Sequence, residues 1–178
     1  MHLTTDRLHL RQWRDDDLAA FAAINQDPAV MRYLGPVMTI DQTSAMLERM
    51  RLSWQTNGFG LFAVERRDSP GCIGYIGLAV PRFEAHFMPC VEIGWRLAYQ
   101  HWGHGLATEG ALAVRDWTIH TLQLPTLVSF TVRDNLASRR VMEKIGLTHN
   151  PADDFDHPML TADNPLRPHV LYRYTPSR

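Results

Sequence analysis

The sequence predicts an α/β fold, in which one mixed, mostly antiparallel β-sheet is flanked by helices. Segments with the two-residue apolar alternation of strands are interspersed with segments whose apolar residues recur every three or four positions, as in helices. Strands and helices do not alternate regularly, which disfavours a parallel sheet of βαβ units. The chain has 178 residues, a length typical of one domain, so we expect residues 1–178 to form a single domain.

Composition excludes several classes of protein. With 45% hydrophobic and 21% charged residues, the chain is typical of globular proteins and unlike disordered, collagen-like or coiled-coil sequences. Its 18 basic and 19 acidic residues give a net charge of −1, so no overall field attracts nucleic acid or an anionic membrane. The two cysteines exclude a disulfide framework. We expect neither a signal peptide nor a membrane-spanning segment, and therefore a cytoplasmic protein.

The first elements follow from apolar spacing and from residues that cap helices. Alternation over 7–13 predicts a strand. A helix is predicted over 15–26, because acidic residues stand at its start and an apolar stripe runs along it. An aspartate-proline pair begins a short helical turn over 27–31. Apolar residues at steps of three and four predict a longer helix over 39–56, which Gly58 ends.

A hairpin comes next. Strands over 59–65 and 72–80 are separated by turn-forming residues, and Gly74 and Gly77 in the second strand indicate a bulge or a close approach of another backbone. The remaining elements are, in order, an irregular stretch over 82–89, a strand over 91–97, a helix that ends near 121, a strand over 126–132, a helix over 135–145, and closing strands from 147 onward and over 169–174.

The most informative segment is Gln100-His-Trp-Gly-His-Gly-Leu-Ala107, which places Gly103 and Gly105 between the end of a strand and the start of a helix. The first turn of a helix has unpaired N–H groups and a partial positive charge, and glycine lets an anion approach the backbone. A sharp strand-to-helix turn needs the same glycines, so their spacing alone leaves both interpretations open. Neither a dinucleotide fingerprint nor a phosphate loop with Gly-Lys-Ser/Thr is present.

This segment resembles the pyrophosphate-binding signature Gln/Arg-x-x-Gly-x-Gly/Ala of the GNAT N-acetyltransferase superfamily. Other segments in the same order resemble its RimJ/RimL branch, the ribosomal-protein-alanine acetyltransferase type. These segments are Thr5-Asp-Arg-Leu-His-Leu-Arg11, Asp15-Asp-Asp-Leu, Asp27-Pro-Ala-Val-Met31, Cys72-Ile-Gly-Tyr-Ile-Gly77, Glu92-Ile-Gly94, Trp102-Gly-His-Gly-Leu-Ala-Thr-Glu109, Asn135-Leu-Ala-Ser138 and Glu143-Lys-Ile-Gly-Leu147. The resemblance implies acetyl-CoA as donor, and as acceptor a primary amine on a protein or peptide N-terminus or on a small molecule.

The resemblance also implies how the cofactor binds. Backbone amides of the glycine turn would hold the CoA pyrophosphate, with a hydroxyl donor from Thr108, and the preceding strand would bind pantetheine like an added strand. An N–H group near 95–97 would bind the acetyl oxygen, and Gly94 would mark a bulge. Asn135 would cap the following helix or bond the pantetheine amide. The expected cofactor contacts are Trp95, Arg96, Leu97, Trp102, Gly103, His104, Gly105, Leu106, Ala107, Thr108 and Asn135.

Two residues are catalytic candidates. Glu92 lies on the strand beside the expected acetyl group and would act as general base, directly or through water, although a structural carboxylate is an equal alternative. Ser138 would stabilise or protonate the leaving thiolate, with helix capping as its alternative. Many relatives carry a tyrosine seven residues after Asn135, where this chain has Met142. Methionine donates no proton, so that role would move to Ser138.

Other polar clusters have less specific interpretations. His101 and His104 lack an acidic partner at a metal-ligand spacing, so we expect no metal. The acidic segment 153–157 favours a solvated surface loop over recognition of a cationic acceptor. His86 and Phe87 are candidates for a wall of the acceptor cleft.

Several questions stay open at this stage. We expect Cys72 and Cys90 to be buried structural thiols. A different acyl-CoA donor is an alternative within the enzymes, and a noncatalytic CoA-binding or protein-interaction module with the same fold is an alternative outside them. We expect no nucleic-acid or membrane partner and either a monomer or a homodimer, and the identity of the acceptor is left open.

Overall fold

A computed structural model describes residues 1–124 and 126–175. The strands are β1 (His2–Thr4), β2 (Leu8–Arg11), β3 (Leu61–Arg66), β4 (Ser69–Ala79), β5 (Glu92–Leu97), β6 (Leu127–Val132), β7 (Thr148–His149), β8 (Phe155–Asp156) and β9 (Pro168–Tyr174). They form one sheet in the order β1-β2-β3-β4-β5-β6-β9-β7, with β8 also paired to β9. Only the β5–β6 pair is parallel among the described strands, which confirms the mixed, mostly antiparallel sheet.

Helices cover both faces of this sheet. They are α1 (Asp17–Gln26), α2 (Pro28–Met31), α3 (Ile40–Asn57), α4 (Leu106–His120) and α5 (Leu136–Lys144), and single 3₁₀ turns span Tyr99–His101 and Pro151–Asp153. On one face, α1 and α3 bury Phe21 and Leu47 against Tyr75 of β4. On the other face, α4 and α5 bury Val114 and Met142 against the sheet. No helix in the described ranges is long and apolar enough to cross a bilayer.

Capping residues set the first and last residues of α2 and α3 close to where the sequence predicts them. The Asp27 carboxylate accepts a hydrogen bond from the Ala29 N–H (2.8 Å) at the start of α2. Thr39 begins α3 with a capping box that it shares with Gln42, and Gly58 ends α3 in a left-handed conformation, φ 74°. These local signals place α2 and α3 within one residue of their predicted bounds.

Several predicted boundaries differ from the structure. The second strand of the hairpin, predicted from 72, already begins at Ser69 as β4. The strand predicted over 7–13 is β2, which ends at Arg11, and the helix predicted from 15 begins only at Asp17. The reason is that the Asp17 carboxylate accepts hydrogen bonds from the Arg11 guanidinium (2.7 Å) and from the Arg14 N–H (2.8 Å). These bonds hold 12–16 as a turn between strand and helix.

Glycines allow close packing of backbones within β4. A Cβ atom on Gly74 would lie 2.0 Å from the Arg96 carbonyl oxygen, and one on Gly77 would lie 2.4 Å from the Gly60 carbonyl oxygen. The predicted close approach is therefore confirmed. The bulge expected at Gly94 is wrong, because Gly94 pairs in continuous register with Gly77.

The sheet opens between β5 and β6. These strands pair only at Glu92 and Val128, where the Val128 N–H also donates to the Val91 carbonyl oxygen (3.0 Å). Beyond this point β5 continues to Leu97 without a strand partner on that side, in the described part of the chain. The opening lies directly before the glycine turn that leads into α4.

Candidate active site

A cleft of about 390 Å³ passes through the opening between β5 and β6. One half, here called the α4–α5 half, lies between the glycine turn and α5. The other half, here called the α2 half, is lined by Val30, Tyr33, Leu34, Tyr75 and Phe130. Glu92, Gly94 and Arg96 contribute to the lining from β5, where alternate residues share one face of the sheet. The cleft thus connects the two faces of the sheet through a gap in its hydrogen bonding.

The glycine turn borders the α4–α5 half. Gly103 and Gly105 both have a φ of 77°, which side chains rarely tolerate. A Cβ atom on Gly103 would meet nothing within 4 Å, and one on Gly105 would lie 3.6 Å from the Arg7 guanidinium. The protein itself therefore leaves this side of the turn open. Both interpretations of the glycines hold, since the same residues form a sharp turn and expose the unpaired N–H groups of the first turn of α4.

An ion pair holds the back of this turn. The Glu109 carboxylate accepts hydrogen bonds from the Thr5 hydroxyl (2.6 Å), the Arg7 N–H (2.8 Å) and the Arg7 Nε (2.6 Å). Burial alone would raise the pKa of Glu109, yet these hydrogen bonds hold it below its usual value. Arg7 Nη1 also donates to the His104 carbonyl oxygen (2.9 Å). His104 therefore lies at the back of the turn and does not line the cleft, unlike the other predicted residues of the turn.

Backbone groups at the end of β5 differ in direction. The Ala98 N–H donates to the Ile73 carbonyl oxygen on the β4 side (2.9 Å), and the Leu97 carbonyl oxygen accepts from Trp102 Nε1 on the other side (2.8 Å). Because directions alternate along a strand, the N–H groups of Trp95 and Leu97 face the opening, whereas that of Arg96 faces β4. The geometry therefore supports Trp95 and Leu97 as cofactor contacts and assigns Arg96 no backbone group on that side.

Glu92 lies where β5 and β6 separate, and its carboxyl group lines the cleft. Burial raises the pKa of Glu92 to about 8. No described residue forms a hydrogen bond or ion pair with this carboxyl group, so no arginine or backbone group occupies it structurally. A Cβ atom on Gly94 would lie 3.7 Å from Glu92 Oε1, so the carboxyl group points along the floor of the cleft. This environment is suited to a general base.

The first turn of α5 forms the opposite wall. The Asn135 side chain accepts a hydrogen bond from the Ser138 N–H (3.3 Å) and donates one to the Thr131 hydroxyl (3.0 Å). Asn135 therefore caps α5, as one of its two interpretations predicts, and Ser138 does not. The Ser138 side chain lines the cleft, whereas Met142 is only 1% exposed and packs in the core. Serine, and not methionine, is therefore available to a group bound in the opening.

Several residues that line the cleft were not predicted from the sequence. Arg140 and Lys144 lie four residues apart on α5 and line the α4–α5 half, and this helical spacing of two cations was a usable signal. Tyr33, Tyr75 and Phe130 line the α2 half from three separate elements. These three residues lie far apart in the chain, so no local sequence pattern could have predicted that they meet.

Other predicted residues lie outside the cleft. Phe87 is 6% exposed and packs with Phe130 and Phe155 in an aromatic cluster, so the expectation that it forms a cleft wall is not supported. Neighbouring His86 lies 3.6 Å from the Asp153 carboxylate. Asp153 also accepts a hydrogen bond from Arg173 (2.8 Å). The acidic segment is thus ion-paired to the sheet, which fits neither of its two interpretations.

Thiol and metal chemistry have no evident site here. Cys72 is buried as expected, whereas Cys90 is only partly buried. Burial raises the pKa of both thiols to about 11, which keeps them protonated at neutral pH. Within residues 1–124 and 126–175, no three metal-ligating side chains come close enough together to hold an ion. The residues of the cleft instead offer backbone N–H groups, a carboxyl group and hydroxyl groups.

Known proteins share this fold and sequence pattern. A family model described as an acetyltransferase (GNAT) domain matches residues 7–148. YoaA, an uncharacterized N-acetyltransferase of Bacillus subtilis (strain 168), is 33% identical over 149 residues, which are 81% of this chain and 81% of YoaA. The crystal structure of an acetyltransferase from Agrobacterium tumefaciens str. C58 is 31% identical, with a TM-score of 0.78 over 99% of this chain and 95% of that one.

A structure of RimJ from Mycobacterium smegmatis in complex with a CoA-disulfide shares the fold at 20% identity, with a TM-score of 0.76 over 94% of this chain and 81% of that one. The family model itself covers most of the 178 residues, from 7 to 148. The chain belongs to the GNAT acetyltransferase family.

Proposed function

We propose that this protein transfers an acetyl group from acetyl-CoA to a primary amine by direct attack in a ternary complex. The observation that carries the proposal is the opening between β5 and β6. Through it, one cleft joins a glycine turn with free N–H groups to a carboxyl group of raised pKa. Membership of the GNAT family supports acetyl-CoA as the donor.

The α4–α5 half fits CoA. The N–H groups at 103–108 would bind the pyrophosphate, because the first turn of α4 offers unpaired donors and a partial positive charge. The Trp102 N–H, expected to join them, instead donates to the Tyr99 carbonyl oxygen (3.0 Å). Arg140 and Lys144 add positive charge at the same half. The pantetheine arm would pair with the free edge of β5, where Trp95 and Leu97 present N–H groups. One of these N–H groups would then hold the acetyl oxygen and stabilise negative charge on it during attack.

Glu92 and Ser138 would move the protons. The neutral amine attacks the acetyl carbon with its lone pair, and Glu92 accepts, directly or through water, the proton that the nitrogen loses as the new bond forms. The carbon–sulfur bond then breaks, and Ser138 supplies a hydrogen bond or a proton to the leaving thiolate. An α-amine suits this arrangement, because its deprotonation at pH 7 costs about 1 kcal/mol, against about 4.6 kcal/mol for a lysine side chain.

A noncatalytic CoA-binding module is the second candidate, and Met142 at the position of a tyrosine acid favours it. To separate the two, we would incubate the protein with acetyl-CoA and a panel of amines and measure free thiol. We expect release that depends on the amine, and a decrease of about ten- to a hundredfold in Ser138→Ala. CoA binding without thiol release on any amine would favour the module. If thiol were released only from a longer acyl-CoA, that acyl-CoA would replace acetyl-CoA as the donor.

We also propose the compartment, the acceptor class and the oligomeric state in which the protein acts. The two cysteines are both free, which is consistent with a reducing compartment, so we place the protein in the cytoplasm. The acceptor is proposed to be a small amine or a protein N-terminus, and the protein to act as a monomer or homodimer without nucleic acid. Size-exclusion chromatography with light scattering would decide the oligomeric state.

A further inference from the structure

The α2 half of the cleft contains a buried cation that no carboxylate of the protein neutralises. Arg96 is only 9% exposed, and its Nη1 donates a short hydrogen bond to the Asn25 side chain (2.6 Å). The guanidinium carbon lies 5.3 Å from the centre of the Tyr75 ring. Arg96 Nε is buried without a hydrogen-bond partner. In the described part of the chain, no acidic oxygen lies within ion-pair distance of this guanidinium.

Arg11, a partly buried arginine on this face whose Nε also lacks a partner, shows how the fold neutralises such a charge elsewhere. Arg11 donates to the Asp17 carboxylate (2.7 Å) and to the Glu65 carboxylate (2.5 Å). An isolated buried charge is costly, so buried cations in proteins are normally paired. Arg96 has only a neutral amide and an aromatic ring in place of these two carboxylates. The missing counter-ion points to a ligand that supplies one.

The position of Arg96 relates this charge to the acceptor. Glu92, Gly94 and Arg96 are alternate residues of β5 and line the cleft. Four residues of strand span about 13 Å between Glu92 and Arg96. Gly94 lies midway and leaves the floor open, since it needs neither a positive φ nor close packing. An acceptor amine directed at the acetyl group would lie over Gly94, with the rest of the acceptor beside Arg96.

We propose that the acceptor is a primary amine that carries a carboxylate within a few bonds of its nitrogen, and that Arg96 binds this carboxylate. The inference rests on the proposed function. Asn25 occupies Nη1 and orients the guanidinium, and Nε is enclosed by protein atoms, so Nη2 is the donor left for the ligand. A charge-assisted hydrogen bond from Nη2 would pair a carboxylate oxygen with the buried positive charge. Arg96 is therefore a specificity-determining residue of the α2 half, and not a cofactor contact.

The charge of the α2 half agrees with this choice of ligand. The pKa of Glu92 is raised to about 8 by burial, so this carboxyl group is largely uncharged at neutral pH before the acceptor binds. Arg96 then dominates the electrostatic potential of the half cleft. A polyamine, which carries only positive charge, would be repelled, whereas an amino acid or an acidic peptide would be attracted.

The test compares matched acceptors in wild type, Arg96→Met and Arg96→Lys. One arm uses alanine and alaninamide, which tests a free α-carboxylate. A second arm uses the dipeptide amides of Ala-Asp and Ala-Asn, which tests an acidic second residue. The amines differ in their own pKa, so the measured quantity is the ratio of wild-type to variant kcat/KM for each acceptor, in which that difference cancels.

We expect Arg96→Met to lower kcat/KM by about ten- to a hundredfold for the carboxylate acceptors of one arm, mainly through KM. The amide acceptors should change less than about threefold, and Arg96→Lys should restore part of the loss because it keeps the charge without the guanidinium. The matched control is Arg140→Met in the α4–α5 half, which should affect both members of each pair equally. An equal loss for both members in Arg96→Met would assign Arg96 a structural role and overturn the proposal.

Binding separates failure of this inference from failure of the proposed function. Calorimetry of N-acetylalanine and N-acetylalaninamide with the CoA-loaded protein requires no turnover. If no amine releases thiol but N-acetylalanine binds wild type and not Arg96→Met, the carboxylate site stands and the proposed reaction falls. Equal binding of both compounds to wild type overturns the site. Melting curves and CoA affinity of Arg96→Met and Arg96→Lys check that each variant is folded.

Discussion

At the scale of single residues, Glu92 has the property that most directly controls the proposed reaction. Its carboxyl group lies at the end of the only β5–β6 pairing and lacks a hydrogen-bond donor among the described residues. Desolvation therefore acts on it without compensation and raises its pKa to about 8. A base with this pKa is half deprotonated slightly above neutral pH and takes up a proton readily.

The activity should therefore rise with pH through about 8, because the base must be deprotonated. An acceptor whose own pKa lies well below 7 isolates this step from deprotonation of the amine. In Glu92→Gln we expect a loss of about a hundredfold or more in kcat/KM and no rise near pH 8. Initial rates of thiol release from about pH 6 to pH 9 measure both effects, and an unchanged rise in the variant would remove Glu92 as the base.

Stability provides an independent control for Glu92. Its pKa is about 8 in the folded protein against an ordinary value of 4.5, so the folded state binds more protons between these values. Wild-type stability is therefore reduced progressively as pH rises through this window, whereas Glu92→Gln does not titrate. The stability of Glu92→Gln relative to wild type should increase by about 3–4 kcal/mol from pH 5 to pH 8. A constant difference in urea titrations would show that Glu92 is not desolvated.

At the scale of elements, the glycine turn and α4 form the end of the cleft that is proposed to bind the cofactor. The turn leaves open the side that would contact a pyrophosphate, and Arg7 and Glu109 hold its other side. The residues just before β2 are thus bound to the first turn of α4, although the two segments lie about a hundred residues apart in the chain. This arrangement keeps the N–H groups of the turn in place before an anion binds.

Gly103→Ala should weaken CoA binding by about tenfold or more, since a Cβ atom there meets no protein atom within 4 Å and would occupy the open side of the turn. The backbone penalty of φ 77° must be separated from this effect. Gly58→Ala is the matched control, because Gly58 has φ 74°, no atom within 4 Å of its Cβ position, and a location outside the cleft. Both variants should lose about 1–2 kcal/mol of stability. Equal CoA affinities in calorimetry would reject the placement of the pyrophosphate.

The order of the elements could be predicted from the sequence, because capping residues and apolar periodicity are local. Asp27, Thr39 and Gly58 act within one or two turns of their helices. The short strands β1 and β8 gave no such signal, since a few paired residues depend on their neighbours in the sheet. The glycine turn was recognisable in the same way, from a spacing within a few residues.

The α2 half of the cleft could not be predicted. Val30, Tyr75 and Phe130 lie far apart in the chain and meet only through the fold. The orientation of the Arg96 side chain could not be predicted either, because its hydrogen-bond partner Asn25 lies on α1 and no sequence pattern links the two residues. Local chemistry thus predicts a CoA site at the glycine turn, whereas the proposed recognition of the acceptor depends on tertiary contacts.

At the scale of the whole molecule, the sheet consists of two parts joined at one point. Strands β1 to β5 form one part and β6, β7, β8 and β9 form the other, and the only pairing between them is Glu92 with Val128 in the described ranges. A pantetheine arm in the opening would extend this junction as a further strand. Cofactor binding would then stabilise the whole sheet, in addition to filling the cleft.

Hydrogen exchange at β5 tests this mechanism residue by residue. Without CoA, the N–H groups of Trp95 and Leu97 face the opening and should exchange quickly, whereas that of Arg96 faces β4 and should exchange slowly. With CoA at about a hundred times its Kd, Trp95 and Leu97 should become protected and the protein should gain about 2.7 kcal/mol of stability. Amide exchange followed by NMR resolves the three residues. Protection of Arg96 alone, or none at Trp95 and Leu97, would place the cofactor elsewhere than along β5.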